Sequence, residues 1–336
     1  MRILAVADTH LGFKAGRTST ARETIYKHVF DAFEAVLKTA RSEKVDTVLH
    51  AGDLFNRSKP TKKIVAKAYG LIESLLTDDI GFIVVPGNHD RSHLPPTLLS
   101  SLFEHGNFVG RMTKIDLGDV SIIGFPYDSK MPGRSFSKAG KIAASLGNQP
   151  SIILCHQLFD GATWGPHQFR FTNRKDALRV SGIPNQVQLV VTGHIHRAQA
   201  LQGNLAVYPG SLERTSFAEV IEPKGYLLIN IDSDGHEVAF QKVDTFPMDV
   251  LELDIGKSII DHSKIEEKLA TFSGRMMLRL TGRSLTLEES VGLFKSFPAT
   301  EWPFLTIAPS APKRFLRPLY RRYKGSFSFK KLRSQE

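Results

Sequence analysis

The chain has 336 residues, 41% of them hydrophobic, and a formal net charge of +10. That is apolar material for one large domain and a small one, and no stretch approaches the roughly 20 apolar residues of a membrane span. Cys155 is the one cysteine, which excludes an intrachain disulfide and reads as a small buried apolar side chain in a cytoplasmic protein.

The first strand, Ile3-Leu4-Ala5-Val6-Ala7, stops at Asp8-Thr9-His10, short of any signal-peptide core. A loop over 14–21 leads to a helix over 22–43, where Ile25, Val29, Phe33, Val36, Leu37 and Ala40 recur at three- and four-residue steps. The strand over 45–51 ends in Gly52-Asp53, and a helix over 60–76 follows with Pro60 in its first turn. The next strand, Phe82-Ile83-Val84-Val85, runs into Pro86-Gly87-Asn88-His89-Asp90, where Gly87 is expected to let the chain turn tightly. Strand and helix alternating in this way predict a doubly wound arrangement with right-handed crossovers.

A short helix is expected over 95–103, strands over 114–117 and 120–124, and a helix over 137–146. The strand over 152–155 ends at His156 and opens a long loop over 157–174, carrying Trp164, Phe169, Arg170 and Phe171. Loops of that length tend to be functional. The strand over 189–192 ends in Gly193-His194-Ile195-His196, an extended piece with imidazoles on alternate sides. Strands over 205–208, 226–231 and 237–243 have no helices between them, which predicts a second, more antiparallel layer; Ser233-Asp234-Gly235 marks a hairpin.

The pattern restarts near residue 246 with strands over 250–255, 276–281 and 303–307 and helices over 263–272 and 287–297. The expected organisation is therefore a first domain over 1–245, a small α/β domain over 246–309 and a tail over 310–336. The charge belongs to that tail, which holds nine basic residues and one acidic residue. Phe315, Tyr320, Tyr323 and Phe327 are interleaved there, as a segment that tracks phosphates and stacks on bases requires. A solvated terminal charge run is the plain alternative.

Five strand ends could thus place two Asp, one Asn and five of the twelve His around one point. A lone His on a strand is more often a core residue, but recurrence beside Asp or Asn points to one shared centre. Phosphate esters resist hydrolysis because their anionic oxygens repel nucleophiles, and two divalent cations about 3.5–4 Å apart remove that repulsion. Imidazole with carboxylate suits manganese, iron or zinc, and Asp53 is the natural bridging carboxylate.

The residues Asp8-Thr9-His10, Gly52-Asp53, Gly87-Asn88-His89-Asp90, His156 and Gly193-His194-Ile195-His196 resemble the signature of calcineurin-like metallophosphoesterases. Gly52-Asp53-Leu54-Phe55, the run from Gly210 to Phe217 and the small C-terminal domain resemble the nuclease subunit of SbcCD- and MRN-type DNA double-strand-break repair complexes. The resemblance implies a two-layered β-sandwich core flanked by helices, with a small C-terminal α/β capping domain. It implies a dinuclear-metal DNA exonuclease or endonuclease whose cofactors are two divalent ions, Mn2+ foremost, with Fe or Zn as alternatives.

On that resemblance, Asp8, His10, Asp53 and His196 hold one metal, and Asp53, Asn88, His156 and His194 hold the other. His89 protonates the leaving group or stabilises the transition state, and Asp90 orients His89. Arg275, Arg279 and Arg283 of the small domain contact the DNA backbone; the tail's own charge, independently of the resemblance, makes Lys313, Arg314, Arg317, Arg321 and Arg322 further candidates for DNA contact. The implied partners are DNA, an ATPase subunit of the SbcC/Rad type and a second copy of the chain, with no membrane. Two departures stand out. Asn56 replaces a His that many members carry three residues after the bridging Asp, and the family's ATPase-docking segment is represented only by the basic tail. The alternative function is a metallophosphatase or small phosphodiesterase, and a third is a metal-free scaffold, which predicts missing ligands. Glu213-Arg214 reads as a structural ion pair or turn.

Overall fold

The computed structural model describes residues 1–90, 107–256 and 260–308. The expected helix over 95–103, His93 and the tail with Lys313, Arg314, Arg317, Arg321 and Arg322 lie outside those residues. The chain divides into two units, Met1–Ala15 with Ser19–Phe246, and Gly16–Thr18 with the chain from Pro247 onward. Among the described residues no helix is long and apolar enough to cross a membrane.

The larger unit begins β1 (Arg2–Val6), α1 (Ser19–Ser42), β2 (Thr47–His50), α2 (Lys62–Leu76), β3 (Gly81–Val84) and β4 (Asn107–Phe108). Then come β5 (Thr113–Asp116), β6 (Ser121–Gly124), α3 (Pro132–Ala144) and β7 (Ser151–Cys155). Four two-residue strands follow: β8 (Leu158–Phe159), β9 (Thr163–Trp164), β10 (Phe169–Arg170) and β11 (Ala177–Leu178). The unit closes with β12 (Leu189–Thr192), β13 (Gln199–Leu201), β14 (Ala206–Tyr208), β15 (Gly225–Asp232) and β16 (Gly235–Lys242).

Two six-stranded sheets result, ordered β16-β15-β1-β2-β3-β4 and β13-β14-β12-β7-β6-β5. Their facing sides share one core, in which Ile3, Ala5, Leu49 and Ile83 of the first sheet meet Ile122, Ile152, Leu154 and Val191 of the second. The outer face of the second sheet is covered by α3, whose Phe136, Ala139 and Ala143 pack with Ile153, Cys155 and Tyr208. On the outer face of the first, the Phe33 ring of α1 meets His50 at 6.3 Å. This is the two-layered sandwich flanked by helices that the resemblance implied. Strands covered on both faces explain why β2, β6, β7 and β12 read as unbroken apolar runs.

The late strands depart from expectation. The hairpin β15–β16 is no second layer: β15 pairs antiparallel with β1, Leu4 opposite Leu228, and closes the edge of the first sheet. Its alternation of buried Leu227, Ile229 and Ile231 with exposed Asn230 and Asp232 fits a strand covered on one side only. The second sheet is parallel through β14, β12, β7 and β6. The segment over 157–174 is not structureless either, since β9 and β10 form a small hairpin pairing Trp164 with Phe169. Burial pushes the Cys155 thiol up to about 12.

The smaller unit contains β17 (Met248–Asp254), α4 (His262–Ala270), β18 (Arg275–Thr281), α5 (Leu287–Ser296) and β19 (Leu305–Ala308), its strands all parallel. Leu278, Leu280 and Leu305 of its sheet pack against Ile265, Leu269 and Leu293 of its helices. A capping box at Thr286 and Glu289 starts α5. Arg17 belongs to this unit and donates to the Phe297 carbonyl at 2.7 Å. Of the expected DNA-contacting arginines, Arg275 is a correction. It lies at the start of β18 with its N–H on the Pro247 carbonyl, and only 7% of it is exposed, so its charge is not presented to a phosphate. Arg279 pairs with Glu252 at 3.4 Å and Arg283 with Glu289.

Candidate metal centre

Beyond their last paired residues, the chains leaving β1 and β2 stay side by side. The N–H of Asp8 donates to Gly52 O at 2.9 Å, that of His10 to Asp53 O at 3.0 Å, and that of Leu11 to Leu54 O at 2.8 Å. Three of the residues so delivered, Asp8 (φ 51°), His10 (φ 46°) and Asp53 (φ 55°), have left-handed backbones, as does His194 (φ 85°) beyond β12. Asp and His enter that region more readily than most residues, yet each instance costs about 1–3 kcal/mol and persists only where the surroundings enforce it. His194 therefore does not sit in an extended piece. The chain turns there, and the His194 N–H donates to both Asp8 carboxylate oxygens at 3.2 and 3.1 Å.

Glycine supplies room for the close approaches. A Cβ on Gly52, at φ 92°, would meet the His156 ring at 2.4 Å. Gly87 is needed for space, not for its turn, because a Cβ there would lie 2.1 Å from Asp53 Oδ1. The Thr9 hydroxyl meets the Leu54 carbonyl at 3.1 Å and His50 Nε2 at 3.0 Å. Burial, aided by His156, lowers His50 to about 3, so it is a neutral core residue.

The rim brings together the side chains of Asp8, His10, Asp53, Asn88, His156, His194 and His196. His156 Nε2 lies 3.5 Å from Asp53 Oδ2, 3.0 Å from Asn88 Oδ1 and 4.0 Å from Asp8 Oδ1. His194 Nδ1 is 2.8 Å from the same Asn88 oxygen. His10 Nε2 faces His196 Nε2 at 3.0 Å and Asp53 Oδ2 at 3.9 Å. His89 Nε2 is 4.0 Å from Asp53 Oδ2, with its side chain 42% exposed. Three sets, Asp8–His10–His196, His10–Asp53–His89 and Asp8–Asp53–His156, each bring their donor atoms within 4.8 Å of one another.

Proton positions follow from the outer partners. His156 Nδ1 lies 2.7 Å from the Ala51 carbonyl, which can only accept, so this nitrogen carries the proton and Nε2 turns inward. His196 Nδ1 lies 3.1 Å from Glu219 Oε1. Burial opposes ionisation of Glu219, but His196 and Lys224 hold it well below the usual carboxylate range, so His196 also donates outward. The inward atoms are then imidazole lone pairs, carboxylate oxygens and an amide oxygen, an arrangement that repels itself unless a cation lies among them. Asp, Asn and His together fit a borderline divalent metal.

Without a metal, a proton takes that place. Burial disfavours charged His156, but Asp53 and Asp8 outweigh it and raise the group to about 9. Burial also opposes charge on Asp53, which His156, His10 and His89 hold far below its ordinary range. Burial and His156 lower His194 to about 3. A metal held by His156 would therefore have to expel its proton below about pH 9. The expected result is metal affinity rising about tenfold per pH unit up to that point and levelling above it. Manganese titrations of metal-free protein at several pH values check this.

Asp90 is a correction. Its carboxylate accepts from the N–H groups of Gly87 at 3.0 Å, Phe55 at 3.1 Å and Leu54 at 3.2 Å, tying two strand-end loops together. His89 is oriented instead by the Asn56 carbonyl, 2.9 Å from its Nδ1. Burial first, and Asp53 second, raise Asp90 to about 6. Glu213 holds His28 of α1 at 2.9 Å and the Phe246 N–H at 2.8 Å, a structural tie between the helix and the chain after β16. Sequence reasoning missed Glu219, which supports His196, and Tyr127, whose ring lies 5.5 Å from His194. Tyr127 had a signal, since β6 is a sixth apolar strand running into polar residues; Glu219 had none.

A sequence profile described as calcineurin-like phosphoesterase matches residues 1–198. The DNA double-strand break repair protein Mre11 of Methanosarcina mazei is 30% identical over 251 residues, covering 73% of this chain and 38% of that protein. Its namesake in Methanosarcina acetivorans is 28% identical, with 73% and 39% covered. This chain thus spans under two-fifths of the length of these curated relatives. Among solved structures, a dimetal phosphatase from Danio rerio aligns with a TM-score of 0.48 at 12% identity, covering 72% of this chain and 96% of that one.

Proposed function

Because this chain belongs to the calcineurin-like phosphoesterase family, we propose that it is a metal-dependent DNA nuclease, hydrolysing phosphodiester bonds at two divalent ions in double-strand-break repair. The observation that carries this reading is the inward convergence of Asp8, His10, Asp53, Asn88, His156, His194 and His196. No ligand of the implied set is missing, which argues against a metal-free scaffold. The choice of DNA as substrate rests on the relatives, both called double-strand break repair proteins.

Asp8, His10, Asp53 and His196 would hold one ion, and Asp53, Asn88, His156 and His194 the other, with manganese foremost. Bound there, the ions would neutralise phosphate charge and lower the pKa of water. The chain supplies orientation. The His89 N–H donates to Asp53 Oδ1 at 2.7 Å, fixing the shared carboxylate, while the Asn56 carbonyl holds the His89 ring. With Nδ1 so engaged, Nε2 is the atom free to give a proton to the leaving 3′ oxygen. Asn56 contributes its carbonyl to this contact, which any residue could supply; its departure from the family's His leaves that hydrogen bond in place.

The test is manganese-dependent digestion of end-labelled single- and double-stranded DNA, run beside bis-p-nitrophenyl phosphate. Strand cleavage that a chelator abolishes is the expected result. Hydrolysis of the small ester with DNA left intact would return the protein to the metallophosphatase or small-phosphodiesterase reading.

A further inference from the structure

We propose that Lys224 and Glu219 are positioning residues that set the affinity of one metal position, the one served by His196. The inference rests on the two-metal reading above.

Lys224 is 1% exposed, and its ammonium is surrounded. It donates to Glu219 Oε2 at 2.8 Å, to Glu222 Oε2 at 3.4 Å and to the His196 main-chain carbonyl at 2.8 Å. Glu219, 1% exposed, uses its other oxygen to accept from His196 Nδ1 at 3.1 Å and from the Thr215 hydroxyl at 3.0 Å. Lys224 therefore grips His196 twice, directly through the backbone and indirectly through the imidazole. Glu222 continues the line to Arg197 at 3.0 Å, and Arg197 donates to the Gly165 carbonyl at 2.7 Å. Four charges of alternating sign stand in a row behind a single imidazole.

Burying an ammonium and two carboxylates is unfavourable unless each is paired, and well-packed apolar residues of similar size often serve stability equally well. What an apolar replacement cannot do is hold the imidazole proton on Nδ1. A carboxylate behind a ligating imidazole fixes its tautomer and ring direction and makes the inward nitrogen more basic. The ammonium keeps that carboxylate ionised and in one rotamer. His156 is held differently, its outer nitrogen on the Ala51 carbonyl with no charged group behind it among the described residues. The device therefore acts on the Asp8–His10–His196 side and leaves the Asp53–Asn88–His156 side alone.

The test uses the full chain, stripped of metal, with free manganese followed by electron paramagnetic resonance and folding by circular dichroism. Glu219→Gln preserves volume and removes the charge; Lys224→Met preserves length and removes the ammonium. Each is expected to weaken one of two manganese equivalents by about 10–100-fold and leave the second unchanged. Lys224→Arg is expected to restore most of the loss. Equal weakening of both equivalents, or no change in a folded variant, overturns the proposal. Failure of both variants to fold also overturns it, since the pair would then be holding the fold rather than the ion. A wild-type chain that takes up fewer than two equivalents refutes the two-metal reading itself, which separates the two failures.

Discussion

Replacing His89 by asparagine is expected to lower DNA cleavage by about 10²–10⁴-fold, the range typical of a positioned general acid, with two metal equivalents still bound. The side chain lies on the open side of the cluster, and its Nδ1 is taken up by the Asn56 carbonyl. Asparagine can keep that hydrogen bond through its amide, and the backbone N–H that orients Asp53 is untouched. Only the outer nitrogen is lost. The competing assignment is concrete, because His10, Asp53 and His89 also form a set with metal-binding geometry. Metal counting on the variant decides between them. Loss of one equivalent would make His89 a ligand, and full occupancy with slow cleavage would leave it the acid.

Gly87→Ala is expected to disable the centre by sterics alone. The new methyl would lie 2.1 Å from Asp53 Oδ1 and 2.4 Å from the Asp53 nitrogen. The nitrogen belongs to a backbone already held beside β1, so no flexible side chain can move aside. Overpacking of this kind costs about 1–3 kcal/mol, sometimes more, and here the displaced group is the carboxylate proposed to serve both metal positions. Metal-free stability and manganese binding should fall together. Gly118→Ala is the control. That glycine has φ 87° and nothing within 4 Å of its would-be Cβ, so alanine there should cost about 1–2 kcal/mol of backbone strain and leave metal uptake intact.

The sandwich and the gathering of polar side chains at its rim were legible for one reason. Strands buried on both faces read as apolar runs, and the polar residues where they stop must lie at the sheet ends. What sequence could not carry was direction. Asp90 follows His89 directly, yet its carboxylate turns back to the N–H groups of Leu54, Phe55 and Gly87. Positive φ at Asp8, His10, Asp53 and His194 falls on residue types that tolerate it, but nothing in the sequence marks which Asp or His adopts it. Glu219 and Lys224 look like ordinary surface charges, and only tertiary packing removes them from water. The hairpin β15–β16 could be recognised as a hairpin but not assigned to a sheet, because alternation reports one covered face without saying which partner covers it. Arg275 was misread similarly, since the family resemblance assigned it to the DNA backbone while tertiary packing leaves only 7% of it exposed.

The residues proposed as ligands come from both layers: Asp8, His10, Asp53 and Asn88 follow strands of one sheet, His156, His194 and His196 strands of the other. Ions bound among them would act as rivets through the sandwich, so that its melting point becomes a readout of bathing metal concentration. Tight occupancy at a hundred times the dissociation constant would add about 2.7 kcal/mol per site. A chelator would then soften the architecture as well as silence the chemistry.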